Sequence, residues 1–206
     1  MDSAPQGFRG DDAWLAQVVE PVIDPALPII DTHHHLWENK HGRYLVWELA
    51  SDIATSGHNV QATVYVEAWS SMHRKAGPEW LRPVGETEFA NGMAAISASG
   101  NYGDAKICAA IVARADLRRG EAVTEVLQAH LEAAPNRFRG IRAYAQWDDA
   151  TAVLPTGGGR ENDRKGLLLD KAFRIGVDRL ISFDLALEVM AYHRQLRELA
   201  NLAQAK

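Results

Sequence analysis

The chain has 206 residues, 47% of them hydrophobic and 24% charged, with a formal charge of −5 and a pI of about 5.9. That acidic balance excludes nucleic acid as the main partner, despite the basic cluster "RFRGIR" at Arg137 to Arg142. No run approaches the roughly 18 apolar residues of a membrane span, "MDSAPQGFRGDD" lacks a basic-then-apolar signal pattern, and the single Cys108 can form no internal disulfide, so a cytoplasmic protein with a buried free thiol is expected.

Residues 1–27 read as an N-terminal extension. Within it "DDAWLAQVVE" (11–20) starts at an acidic cap and stops at Pro21, which predicts a short helix. The first strand candidate is "LPIIDTH" (27–33), and the helix candidate "LVWELASDIATSG" closes on Gly57. "VQATVYVE" (60–67) is the second strand candidate, followed by "ETEFANGMAAISASG", which closes on Gly100. "KICAAIVA" (106–113) is third; its helix, "RGEAVTEVLQAHLEAAP", carries Val123, Val126, Leu127 and His130 at i, i+3, i+4 and i+7 before Pro135 ends it. "FRGIRAY" (138–144) and "ISFDLAL" (181–187) are the fourth and fifth strand candidates, flanked by the helix candidates "DKAFRIGVDRL" and "HRQLRELANLAQAK". Strands alternating with helices in this order predict right-handed crossovers on a parallel α/β sheet. The two long loops, 68–85 and 146–165, both follow strands, where such folds place their sites.

The residues with chemistry begin at "IIDTHHHLW". A period of two puts Asp31, His33 and His35 on one face of the first strand, with Thr32 and His34 on the other. His33 and His35 at a strand's C-terminal end suit two imidazoles converging on one divalent ion or one polarised substrate. The competing readings are a histidine-rich surface tract and incidental loop residues. Arg142, at the end of the fourth strand, reads either as a surface arginine or as a bidentate clamp for a carboxylate or lactone oxygen. Glu67 either leaves the core at the end of a strand face shared with Thr63 and Tyr65, or orients a substrate hydroxyl or a histidine. His130 reads as a helix-face residue, and His41, His58 and His73 as loop residues with no partner in view. "GGG" at Gly157 to Gly159 lacks the flanking strand and GK[ST] of a phosphate loop, and Trp69, Trp80 and Trp147 read as loop aromatics packed on a rim.

"PIIDTHHHLW" resembles the opening strand of the amidohydrolase superfamily, in its amidohydrolase-2 branch of lactonases, hydrolases and decarboxylases. "ATVYVEA", "GETEFANGMAA", "ADLRRGEAV", "RFRGIRAYAQWD" and "ISFDL" follow in the order that branch shows them, from about Trp14 to Lys206. The resemblance implies a (β/α)₈ TIM barrel with its site at the C-terminal mouth of the strands. It implies a divalent metal such as zinc on His33 and His35, or the same histidines around the substrate in a metal-independent mechanism. "GIR" places Arg142 toward substrate, and relatives carry a histidine near His193, which on its own reads as a solvent-facing helix start.

Relatives continue with a sixth strand carrying a histidine and an eighth carrying an aspartate general base. Five units of about 36 residues over 28–206 scale to roughly 285 for eight, so a partial barrel lacking its last three strands is expected. The expected function is hydrolysis of a small carboxylated or sugar-derived lactone by the parent enzyme. The alternatives are a decarboxylase of the same branch and a truncated, catalytically inactive domain. A small-molecule substrate is expected, with neither nucleic acid nor membrane as partner. The unclosed sheet adds an expected homo-oligomer or complementary C-terminal half.

Overall fold

The computed structural model describes residues 16–40, 42–68, 72–148 and 165–206. The strands are β1 (Pro28–His34), β2 (Trp37–Asn39), β3 (Gly42–Tyr44), β4 (Asn59–Val66), β5 (Lys106–Arg114), β6 (Phe138–Tyr144) and β7 (Ala186–Met190). The helices are α1 (Val46–Thr55), α2 (Val84–Ser97), α3 (Val123–Ala133), α4 (Lys171–Ser182) and α5 (Leu196–Gln204). Five strands form one parallel sheet in the order β1-β4-β5-β6-β7, and β2 pairs with β3 as a small antiparallel hairpin. No described helix is long and apolar enough to cross a membrane.

The sheet is curled into a half-barrel. In a flat sheet β1 and β6, three neighbours apart, would lie about 14 Å from each other. Arg142 of β6 nevertheless meets His33 of β1 at 2.7 Å. Along β5, Ile111 and Ala113 are buried beneath the helices, while Ala110, Val112 and Arg114 are half-buried on the concave side. The core between sheet and helices contains Tyr65, Ile111, Leu127, Phe138, Ile141 and Leu180, all essentially fully buried. Each such side chain contributes about 1.5–3 kcal/mol on leaving water.

Local chemistry sets the element ends. The Asp170 carboxylate accepts the Phe173 N–H at 2.7 Å and starts α4. Gly140 lets β7 approach β6, because a Cβ there would stand 2.5 Å from the Ala186 carbonyl oxygen. Gly176 does the same for α4 against Leu117. Cys108 has φ 54 in an irregular part of β5, where the register with β4 shifts between Ala62 and Val64. Its thiol is buried, and burial pushes it up to about 12.

Two expectations need correction. The fifth strand is 186–190 rather than 181–187, because Ile181 and Ser182 complete α4 and Asp184, at φ 55, turns the chain. Of the predicted helix 11–20, residues 16–20 are turn and irregular chain, and 11–15 lie outside the described residues. The β2–β3 hairpin is too short to leave a periodicity. The triple glycine, His41 and Trp69 also fall outside the described residues.

Candidate active site

The end of β1 divides its histidines between two environments. The Asp31 carboxylate accepts the His33 N–H at 3.1 Å, where the pairing with β4 shifts register. His33 and His35 turn to the concave side with Nε2 atoms 3.3 Å apart and rings edge to face at 87°. His34 points the other way and is buried, its Nε2 2.8 Å from the Thr63 hydroxyl and its ring edge-on to Tyr65. Burial lowers its pKa to about 4, so it is a neutral core residue.

His35 Nδ1 lies 2.9 Å from the Val66 carbonyl, which only accepts, so this nitrogen carries a hydrogen. Arg142 is nearly fully buried, at 3% exposure. Its Nε donates to Glu188 Oε1 at 2.7 Å and its Nη2 lies 2.5 Å from the same oxygen. The same Nη2 is 2.7 Å from His33 Nε2. A guanidinium has only donors, so His33 Nε2 is the acceptor there. Burial first, then the Arg142 charge and His35, hold the His33 pKa below its usual value.

Arg142 pairs in register with Arg114 of β5 and Glu188 of β7, so one row crosses three strands. Arg114 stacks its guanidinium 5.5 Å from the centre of the Tyr144 ring. The Tyr144 hydroxyl donates to Glu67, which is 1% exposed and whose Oε2 has no hydrogen-bond partner among the described residues. Burial, and next the Glu67 charge, push the Tyr144 phenol up. A cavity of about 60 Å³ opens beside this row, lined by Arg114, Arg118, Arg142, Tyr144 and Phe173 among others.

Glu67 does not share a face with Thr63 and Tyr65. Tyr65 donates at 2.7 Å to Glu86 of α2, and Thr63 contacts His34, so both face the helices. β4 ends at Val66, and beyond that point alternation no longer governs Glu67. His193 is exposed at the first position of the turn His193–Gln195, three residues after β7. His73 has a partner after all, Glu86, at 3.4 Å. His130 is buried, set between the Thr87 hydroxyl and the Arg114 carbonyl and stacked on Phe138. Trp80 donates to Glu125 and packs under Arg119, a rim contact.

Glu188, Tyr144, Arg114 and Gln195 are absent from the sequence reading. Glu188 was legible in principle: with β7 placed correctly, it is the cross-strand neighbour of Arg142, a pairing that favours opposite charge.

The two imidazoles by themselves suit zinc. Two nitrogens at about 2.05 Å from a tetrahedral ion lie about 3.3 Å apart. The rest of the set does not fit. The lone pair of His33 Nε2 already accepts from Arg142, and the described residues hold no group of three metal-ligating side chains, the number a catalytic zinc takes.

No protein-family model and no curated protein matches the chain. Among solved structures, an amidohydrolase from Burkholderia multivorans with bound zinc aligns at 22% identity and a TM-score of 0.57, covering 85% of this chain and 53% of that one. An amidohydrolase from the same organism with bound HEPES aligns at 20% identity and a TM-score of 0.52, with the same coverage. The chain therefore spans about half the length of the solved structures it matches. Its curled parallel sheet and covering helices are the fold of these amidohydrolases, a partial (β/α)₈ barrel of about five units.

Proposed function

We propose that the chain is part of an amidohydrolase-superfamily hydrolase, of the amidohydrolase-2 branch, acting on a small carboxylated or sugar-derived lactone. The observation that carries this reading is the contact of Arg142 with His33 at the concave ends of the strands, beside an arginine-lined cavity. Arg142, with Arg114 and Arg118 around that cavity, anchors the anionic end of the substrate and offsets charge on the carbonyl oxygen as water adds. His35, whose Nδ1–H is held by Val66, presents its Nε2 lone pair to take the proton of that water. His33 sits between the two and orients the carbonyl. Glu67 holds Tyr144 against the arginine row, and His193, just past β7, contacts substrate from the rim.

The 206-residue chain alone is expected to be inactive or nearly so. Its concave face is open, and catalysis depends on groups held in rigid opposition. The edge strands β1 and β7 are where a second copy or a complementary C-terminal half would pair.

Calorimetric titration with aldonolactones and pyrone carboxylates, run beside a pH-stat assay, tests both statements. Saturable binding of one of these classes, weakened at least about tenfold by Arg142→Ala, is expected, with turnover at background. Binding of neither class, or binding indifferent to Arg142, would remove the lactone reading. Turnover that disappears in His33→Ala would show that the 206 residues suffice.

A further inference from the structure

We infer that Glu86, on the helix side of the sheet, is a positioning residue for the concave side: it clamps the end of β4 and thereby aims the Glu67 carboxylate at Tyr144 beside the arginine row.

The strand that delivers Glu67 does not settle where it points. β4 ends at Val66, so the two backbone angles of Glu67 are set by the peptides before and after it. The peptide before it is held in the sheet. Its N–H donates to the Val112 carbonyl at 2.9 Å, and its carbonyl, that of Val66, stands 2.9 Å from His35 Nδ1. The peptide after it leaves the sheet, and its N–H, that of Ala68, donates to Glu86. With one peptide tied to β5 and the next to α2, both angles of Glu67 are fixed.

The clamp has a second jaw. The same Glu86 oxygen, Oε1, accepts from the Tyr65 hydroxyl at 2.7 Å. Tyr65 lies two residues before Glu67 and Ala68 one after, so a single oxygen grips the chain on both sides. Tyr65, Ala68 and Glu86 are all buried, which makes these bonds strong and their loss costly.

A neutral acceptor could satisfy Tyr65 alone, and burying a carboxylate is unfavourable unless it is partnered. Here the partners are supplied. Burial acts to raise the Glu86 pKa, but His73, 3.4 Å from Oε2, together with Tyr65 and Ala68, holds it below the usual carboxylate value. The first turn of α2, where Glu86 sits, favours the same charge. Gly85 lets the segment carrying His73 seat on that turn, since a Cβ there would stand 2.8 Å from the Met72 carbonyl oxygen and from the Arg74 backbone nitrogen. The charged form, the better acceptor, is thus kept in place to hold two donors at one oxygen.

What Glu67 and Tyr144 do for a substrate rests on the proposed function. Whether Glu86 aims them is read without a substrate, from the Tyr144 hydroxyl proton in magnetic resonance of the isotope-labelled full chain. A phenol held on a buried carboxylate gives a slowly exchanging, downfield hydroxyl resonance, identified by its loss in Tyr144→Phe. Glu86→Ala is expected to speed that exchange at least about tenfold or to erase the resonance. Glu86→Gln, whose amide oxygen still accepts from both donors, is expected to restore it. Leu180→Ala, a deletion in the buried face of α4, is the control for lost stability and is expected to keep it. A resonance absent from the unaltered chain, unchanged in Glu86→Ala, equally lost in Glu86→Gln or equally lost in Leu180→Ala would each overturn the inference. If circular dichroism shows that Glu86→Ala does not fold, Glu86→Leu, which fills the buried position without accepting, is read in the same way. Failure of both to fold counts against a positioning role. Lactone binding, measured separately, can fail without altering any of these outcomes.

Discussion

The hydroxyl of Tyr144 on β6 donates to the carboxylate of Glu67 beyond β4, bridging two strand spacings of the curled sheet. Glu67 is buried, and its other oxygen has no hydrogen-bond partner among the described residues, so this contact is its main compensation for leaving water.

Tyr144→Phe should therefore destabilise the chain by about 1–3 kcal/mol, the cost of stranding a buried polar group. Glu67→Gln should cost less, because an amide oxygen still accepts from the phenol and no charge remains to be buried. Urea denaturation at pH 7 compares the two. A Tyr144→Phe midpoint equal to that of the unaltered chain would show that Glu67 is solvated in solution.

Two buried histidines make the fold acid-sensitive. Burial lowers His34 and His130 from 6.5 to about 4. The unfolded chain therefore takes up protons first as pH falls. The stability these groups contribute is full above pH 6.5 and is lost as pH drops through 4. Each shift corresponds to about 3 kcal/mol at most. Urea midpoints should fall between pH 6.5 and 4, and His130→Gln, which can still bond Thr87 and the Arg114 carbonyl, should flatten the slope. An unchanged slope in that variant would assign the acid sensitivity elsewhere.

Gly140→Ala should separate β7 from β6, since the added methyl meets the Ala186 backbone rather than a movable side chain. A loss of about 1–3 kcal/mol is expected. Amide exchange should rise along β7, where Leu187 and Glu188 pair with Ile141 and Arg142. Uniform exchange across the sheet would contradict a local wedge.

Asp170→Ala removes the side chain that accepts the Phe173 N–H at the start of α4. About 1 kcal/mol should be lost in thermal or chemical denaturation, and Asp170→Asn should recover most of it.

The alternation of the sheet and its helices was legible because period-two and period-3.6 patterns are written by burial itself. Four of the five strands lie within a residue or two of their sequence positions, and the split of His33 and His35 from His34 follows the same alternation. The fifth strand was not, because "ISFDLAL" is apolar whether it ends a helix or starts a strand. Only the positive φ of Asp184 decides between them. That five-residue slip hid Glu188, whose meaning comes wholly from lying opposite Arg142. Glu67 was assigned to the wrong face for a related reason: a period holds only while the strand lasts.

Gln195 accepts from the Tyr192 N–H at 3.0 Å and donates to the Trp147 carbonyl at 2.8 Å, and Arg194 adds an ion pair to Asp148. One amide thus laces the segment leaving β6 to the segment leaving β7. Neither can peel away without breaking the stitch to the other, so the two form a single cooperative unit. A ligand that lifted Trp147 would break the hold of the same amide on Tyr192, loosening the start of α5 in the same event.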